Sequence, residues 1–339
     1  MSRTTSPRQA PVDAWAPPPT AGDVWAPPRS MGPPNPPPGA DRPGPPPLPR
    51  PVRKPRAGLD LVGVYGVALS IIAALVLGLV ADIGPVGDLR HARDRETGYA
   101  ALRLDLAKGT VPVGQTDING KLVQLGRPVA LLTIPELGLR EVVREGTTSG
   151  VLESGPGHRR DSPMPGQAGV SVLMGRESGF GGPFGHIGEL RPSETFTLVT
   201  GQGTQRYRVL DVRYAGDPVP PPPESGKGRI VLVTASGQEF MPTGTVQVDA
   251  DLISTVQPAP NRPLGPDALS KAELPMGTDS SAWVALVLWG EALLLAAVAL
   301  ALARARWGRW QSWIVGVPVL LALGLAVSDQ VAQLLPNLI

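Results

Sequence analysis

The chain has 339 residues, a formal net charge of +2, 41 prolines, 41 glycines, three histidines and no cysteine. Without cysteine there are no disulfides, no thiolate metal sites and no thiol nucleophile, and three scattered histidines do not build a multi-histidine metal centre. No metal or cofactor is expected. The absence of a basic stripe interleaved with aromatics argues against nucleic acid as a partner.

Residues 1–58 are rich in proline, glycine and alanine without an apolar period, so they read as a disordered arm. Eight Arg/Lys face three Asp over residues 1–59. A short repeat places Trp15 and Trp25 each before Ala-Pro-Pro. It is either a pair of docking peptides for a cytoplasmic partner or part of a low-complexity tail. The uncharged run 61–81 spans a bilayer core of about 30 Å and predicts a first transmembrane helix over 59–83. Arg53, Lys54 and Arg56 precede it, which puts the arm in the cytoplasm. Residues 84–126 read as a charged helical stalk around Arg90, Arg93, Asp94, Arg95 and Glu96.

From 127 to 253 the pattern changes to short apolar runs split by Gly/Pro turns, which predicts a mainly β domain. The strand-like runs are 129–133, 170–174, 196–200, 207–212, 230–234 and 245–252. A Pro-containing linker covers 254–280. Two more apolar runs predict transmembrane helices over 281–303 and 312–335, joined by a basic loop 304–311 with Arg304, Arg306 and Arg309. The three spans agree on one topology: arm and basic loop inside, β domain and C-terminal end outside. Glu291 lies within the second span. A carboxylate there costs a few kcal/mol, so it is expected to face another helix or a partner, to be protonated, or to be merely tolerated.

The middle of the chain resembles the sortases, transpeptidases that attach proteins to Gram-positive cell walls. Ile134-Pro135-Glu136-Leu137-Gly138 is similar to the family's opening strand, Val143-Arg144-Glu145-Gly146-Thr147 to the motif after it, and Gly155-Pro156-Gly157-His158 to its Gly-Pro-Gly-His. Gly169 to Gly175 resembles the strand before the catalytic histidine. Phe180-Gly181-Gly182-Pro183-Phe184 and Leu190-Arg191-Pro192 resemble the stretch after it, and Ile230 to Thr234 the strand ending in the catalytic cysteine. The resemblance implies a sortase-like eight-stranded β-barrel, here with three transmembrane helices and the disordered arm. It fits an actinobacterial, Gram-positive origin, and the excess of Arg over Lys with frequent Ala points to a GC-rich bacterial genome.

The resemblance further implies three catalytic residues: a Cys nucleophile, a His acid/base and an Arg that stabilises the oxyanion. Arg176 occupies the histidine position, and an arginine does not shuttle protons near neutral pH. Ala235 occupies the cysteine position and has no reactive atom. Gly244 and Thr245 occupy the strand that should carry the arginine. Thr234 and Ser236 flank Ala235, but side chains alternate along a strand, so both should point away from the cleft. His158 is read as a structural turn residue, and His186 has no nucleophile paired with it. Arg176 and Glu177 either bind a carboxylate or phosphate or fill the space of the lost histidine.

Two further stretches admit more than one reading. Leu274-Pro275-Met276-Gly277-Thr278 resembles a Leu-Pro-x-Thr-Gly sorting signal with two residues exchanged, a likeness best put down to coincidence. Pro220 to Pro223 form either a stiff binding edge or a spacer. Together these observations predict a non-catalytic binding, scaffold or regulatory protein of the cell envelope. Arg176, Glu177, Thr234, Ala235 and Ser236 are the candidate binding residues, and an envelope or membrane protein or peptide is the expected partner. The alternatives are a transpeptidase or hydrolase with a relocated nucleophile, and an adaptor between the barrel and a cytoplasmic partner.

Overall fold

The computed structural model describes residues 73–307 and 309–339, together with Gly32 and Leu69. The readings of the arm 1–58, of Trp15 and Trp25, and of most of the first span lie outside the described residues. So do the side chains of Arg304, Arg306 and Arg309.

Eight strands close into a barrel: β1 (Pro128–Ile134), β2 (Leu139–Glu145), β3 (Gly157–His158), β4 (Gly169–Met174), β5 (Thr195–Thr200), β6 (Gly203–Tyr214), β7 (Gly228–Gln238) and β8 (Met241–Leu252). Their order around the barrel is β1-β2-β3-β4-β7-β8-β6-β5. Closure removes every free edge. The strand period of two sends Leu132, Ile134, Leu173, Ile230, Leu232 and Val248 into the barrel, where each is fully buried. β4 and β7 run parallel, with Met174 opposite Val233. β7 is buried on both faces, so its run of Ile, Val and Leu does not alternate in polarity.

Residues 73–81 are helical and lead through a π-helical turn, Asp82–Val86, into α1 (Gly87–Lys108). Gly84 leaves helical geometry beside Pro85, which lacks an N–H, and the chain bends there. Of residues 84–126, read as a helical stalk, Gly87–Lys108 are helix. The helix stops at Lys108, where Gly109 takes a left-handed conformation and bonds back to Asp105 and Leu106. α1 lies against the barrel: Leu102 is fully buried with Val111 and Val142, and Arg144 Nη2 donates to the Asp94 carbonyl at 2.8 Å. Some charges of this stretch are consumed by the packing.

After β8 the linker is also held to the barrel. The Gln115 side chain donates to the Leu264 carbonyl (3.0 Å) and accepts from its N–H (2.8 Å). Arg160 forms two hydrogen bonds to Glu273, at 2.6 and 2.7 Å. A short helix α2 (Ser149–Leu152) covers the outside of the β4–β7 pair, and α3 (Ala282–Trp307) and α4 (Arg309–Leu334) follow the linker. Within them, Ala282–Leu300 and Ile314–Leu334 are long and apolar enough to cross a membrane. Helix takes up the expected basic loop on both sides of position 308. Gly316 has no side chain because Leu300 of α3 fills the space. Glu291 is exposed on α3.

Candidate binding cleft

Strand alternation sorts the residues at the end of β7. Val231, Val233 and Ala235 face outward into a second apolar cluster with Leu152, Val172 and Met174. Thr234 points to the other face, where its hydroxyl donates to the Gly175 carbonyl at 3.0 Å. Ser236 is half-buried at a bulge in the β7–β8 pairing. Ala235 pairs with Thr245 and Ser236 with Gly244, so the candidate nucleophile and oxyanion positions lie side by side. No arginine stands there.

Arg176 is 1% exposed and is the largest fully buried side chain in the molecule's described part. Nη2 donates to the Ser149 hydroxyl (2.8 Å) and carbonyl (3.2 Å), and Nη1 to the main-chain oxygen of Ile339 (2.6 Å). Glu153 lies 3.5 Å away, and the guanidinium sits over the Phe180 ring at 4.7 Å. Phe180 adopts a left-handed φ of 54°, strained for an aromatic residue, and its N–H bonds to Ile83. Burial pulls the Arg176 pKa down to about 10, partly opposed by Glu153, so it remains a cation at neutral pH. Burial raises the Glu153 carboxyl to about 7 against the pull of Arg176. Glu177 is half-buried, and its part in the cleft is its backbone N–H, which donates to the Leu338 carbonyl at 2.8 Å.

The cleft is therefore occupied. The chain beyond α4 turns into it, and the sequence carried no sign of this, because four residues have no period and follow an apolar span. Leu338 is fully buried in the cluster that contains Ala235. Asn337 is also fully buried, and its Nδ2 donates to the carbonyls of Thr147 (2.8 Å), Leu274 (3.0 Å) and Ala272 (3.2 Å). Its backbone N–H bonds to Gly277 at 2.9 Å. The stretch resembling a sorting signal thus forms a wall of the cleft. Met276 packs on the apolar cluster, and Glu273 ties the wall to Arg160 and to the Thr147 hydroxyl. The polyproline run is elsewhere. Arg229 Nη1 donates to the Pro221 carbonyl at the far end of β7, six residues or about 20 Å from Ala235.

One constellation imitates a catalytic triad. His158 Nδ1 lies 3.0 Å from Glu145, and Nε2 lies 3.2 Å from the Ser162 hydroxyl. All three residues are buried. Ser162 donates its proton to the Arg159 carbonyl at 2.7 Å and accepts from the Val172 N–H at 3.1 Å, while His158 Nε2 is 3.0 Å from the Pro163 carbonyl. The hydroxyl is saturated and no substrate reaches it, so the group is structural. Burial lowers the His158 pKa, but the Glu145 charge and hydrogen bond and the Pro163 carbonyl outweigh it and leave the value raised. His186 is exposed and bonds only to Glu189, at 2.8 Å. Among the described residues no cluster of three or more His, Asp or Glu is placed to hold a metal ion.

Residues 132–246 match the family model described as Sortase domain. No curated protein matches the chain. Among solved structures it is similar to sortase E from Streptomyces avermitilis, with 28% identity over 39% of this chain and 91% of that one and a TM-score of 0.34. It is similar to sortase E1 from Streptomyces coelicolor, solved with a tripeptide in the active site, at 26% identity over 39% and 92% of the chains, TM-score 0.34. It also resembles the sortase D5 transpeptidase of Clostridium perfringens, at 23% over 39% and 82%, TM-score 0.35. The closed barrel of this chain is a sortase-like domain, built without the cysteine that would serve it as a nucleophile.

Proposed function

We propose that the chain is a sortase-like membrane protein that makes and breaks no covalent bonds, and that it acts as a binding, scaffold or regulatory component of the envelope of a Gram-positive, actinobacterial cell. One observation carries this reading: the cleft around Ala235 and Arg176 is filled and hydrogen-bonded by the chain's own residues 336–339. A buried arginine with a pKa of about 10 does not exchange protons with a substrate at neutral pH, and Ala235 has nothing to attack with. α3 and α4 would anchor the barrel on the outer side of the membrane, with Arg304, Arg306 and Arg309 inside. The partner would be an envelope or membrane protein or peptide. A cytoplasmic partner at Trp15 and Trp25 would add a second contact.

The test uses the full chain in detergent micelles with a Leu-Pro-x-Thr-Gly peptide and an amine acceptor, followed by mass spectrometry. Intact peptide after long incubation is the expected result. Cleavage or transfer above the no-protein control overturns the proposal.

A further inference from the structure

The polar end of the filled cleft has one chemical character. Three carbonyl oxygens, from Thr147, Ala272 and Leu274, converge on Asn337 Nδ2. The amide oxygen, Oδ1, is buried without a partner. The hole therefore reads only a donor. A carboxylate of the same shape would set its lone pairs against three carbonyls and lose every hydrogen bond, a penalty that burial enlarges. Two of the three carbonyls come from the linker, outside residues 132–246, and Arg160–Glu273 holds that linker in place. Next to the hole, Leu338 fills an apolar pocket floored by Ala235, and Arg176 receives the following main-chain oxygen. Amide hole, aliphatic pocket and cationic clamp succeed one another along a single turn, which the Ile339 N–H closes on the Pro336 carbonyl at 3.1 Å.

We infer that residues 336–339 are a tethered peptide ligand of the cleft, and that Asn337 sets its specificity through a hole that accepts a primary amide and refuses a carboxylate. This rests on the non-catalytic reading above. The same cleft takes a peptide from another molecule when it presents Asn followed by an aliphatic residue and the tethered stretch is displaced. A tethered ligand competes at an effective concentration in the millimolar range, so an external peptide binds the intact chain weakly.

The experiment uses the full chain in nanodiscs and a fluorescent peptide reproducing residues 333–339, acetylated and amidated at its ends, read by anisotropy. Hydrogen exchange monitors residues 336–339 and the barrel strands in parallel. Asn337→Asp should raise exchange at 336–339, leave β4 and β7 protected, and tighten peptide binding by about tenfold or more. The same peptide with Asp in place of the residue that corresponds to Asn337 should not bind. Leu338→Ala, a milder change, should move both readouts the same way and serves if Asn337→Asp does not fold. Released 336–339 with no gain in peptide binding overturns the inference. So does continued protection of 336–339 in Asn337→Asp, or equal binding of the Asn and Asp peptides. Cleavage of the bound peptide would instead overturn the non-catalytic reading and leave the specificity inference standing.

Discussion

Replacing Arg176 with methionine removes the cation and keeps most of the volume. Arg176 makes hydrogen bonds of 2.6, 2.8 and 3.2 Å to Ile339 and Ser149 and stands 3.5 Å from Glu153. Removing one member of a buried ion pair costs about 3–5 kcal/mol, because the other is left uncompensated. The Ser149 hydroxyl and the Ile339 oxygen also lose a partner, while methionine avoids the desolvation of a guanidinium and still covers Phe180. These terms offset one another, so Arg176→Met should destabilise the fold by about 3–5 kcal/mol. Glu153 already sits at about 7 with the arginine beside it. Without that cation its carboxyl rises further, so the deficit should be larger at pH 8 than at pH 6. Adding Glu153→Gln should recover about 2 kcal/mol at pH 8, since it removes the stranded charge. Urea unfolding of the full chain in micelles, with hydrogen exchange at residues 336–339, measures each quantity. A loss below about 1 kcal/mol with unchanged exchange would refute the reasoning and reduce Arg176 to a space-filling side chain.

Glu153→Gln alone should flatten the pH dependence of stability. The folded-state value of about 7 exceeds the ordinary value of 4.5, so the folded state holds an extra proton between them, and stability falls as pH rises through that window. The loss should reach up to about 3 kcal/mol in unfolding curves from pH 4 to 8. His158→Gln should cost about 3 kcal/mol by leaving Glu145 buried without its cation. Because the His158 pKa is raised, the pair's contribution is complete below about 6.5 and fades as pH rises through the folded value, and the variant should lose that slope. Gly157→Ala should destabilise by more than about 2 kcal/mol in thermal unfolding, since a β-carbon there would overlap the Gly146 carbonyl and Leu152. Ala235→Cys should restore no peptide cleavage in the mass-spectrometric assay, and its thiol should react slowly with maleimide while Leu338 covers it.

How legible all this was in the sequence varied with the kind of signal. Six of the eight strands carry apolar runs, and those runs mark them. β2 was visible only through motif likeness, because Arg140, Glu141, Arg144 and Glu145 interrupt it, and these charges are consumed by contacts with α1, β3 and their neighbours. β3 has two residues, too few for any period. Alternation was enough to put Ala235 on one face of β7 and Thr234 on the other. It could not show that Arg176 would find Ser149 and Ile339, which stand 27 and 163 positions away in the chain. The ordered linker was hidden for a similar reason. Proline-containing sequence suggested slack, whereas its order comes from distant side chains, Gln115 and Arg160, that reach across to it.

The bend at Gly84 and Pro85 brings the entering helix to the place where α4 ends. Ile83, Phe180 and Ala332 pack together there with Leu79 and Leu335, and Arg90 contacts both Asp82 (3.2 Å) and Asp329 (3.4 Å). The barrel is thus bolted at two points rather than hung from one. A domain on a single flexible stem sweeps a sphere and searches for what it binds. For a chain whose α3 and α4 cross a bilayer, two attachments leave the barrel less freedom to swivel than a single stem would.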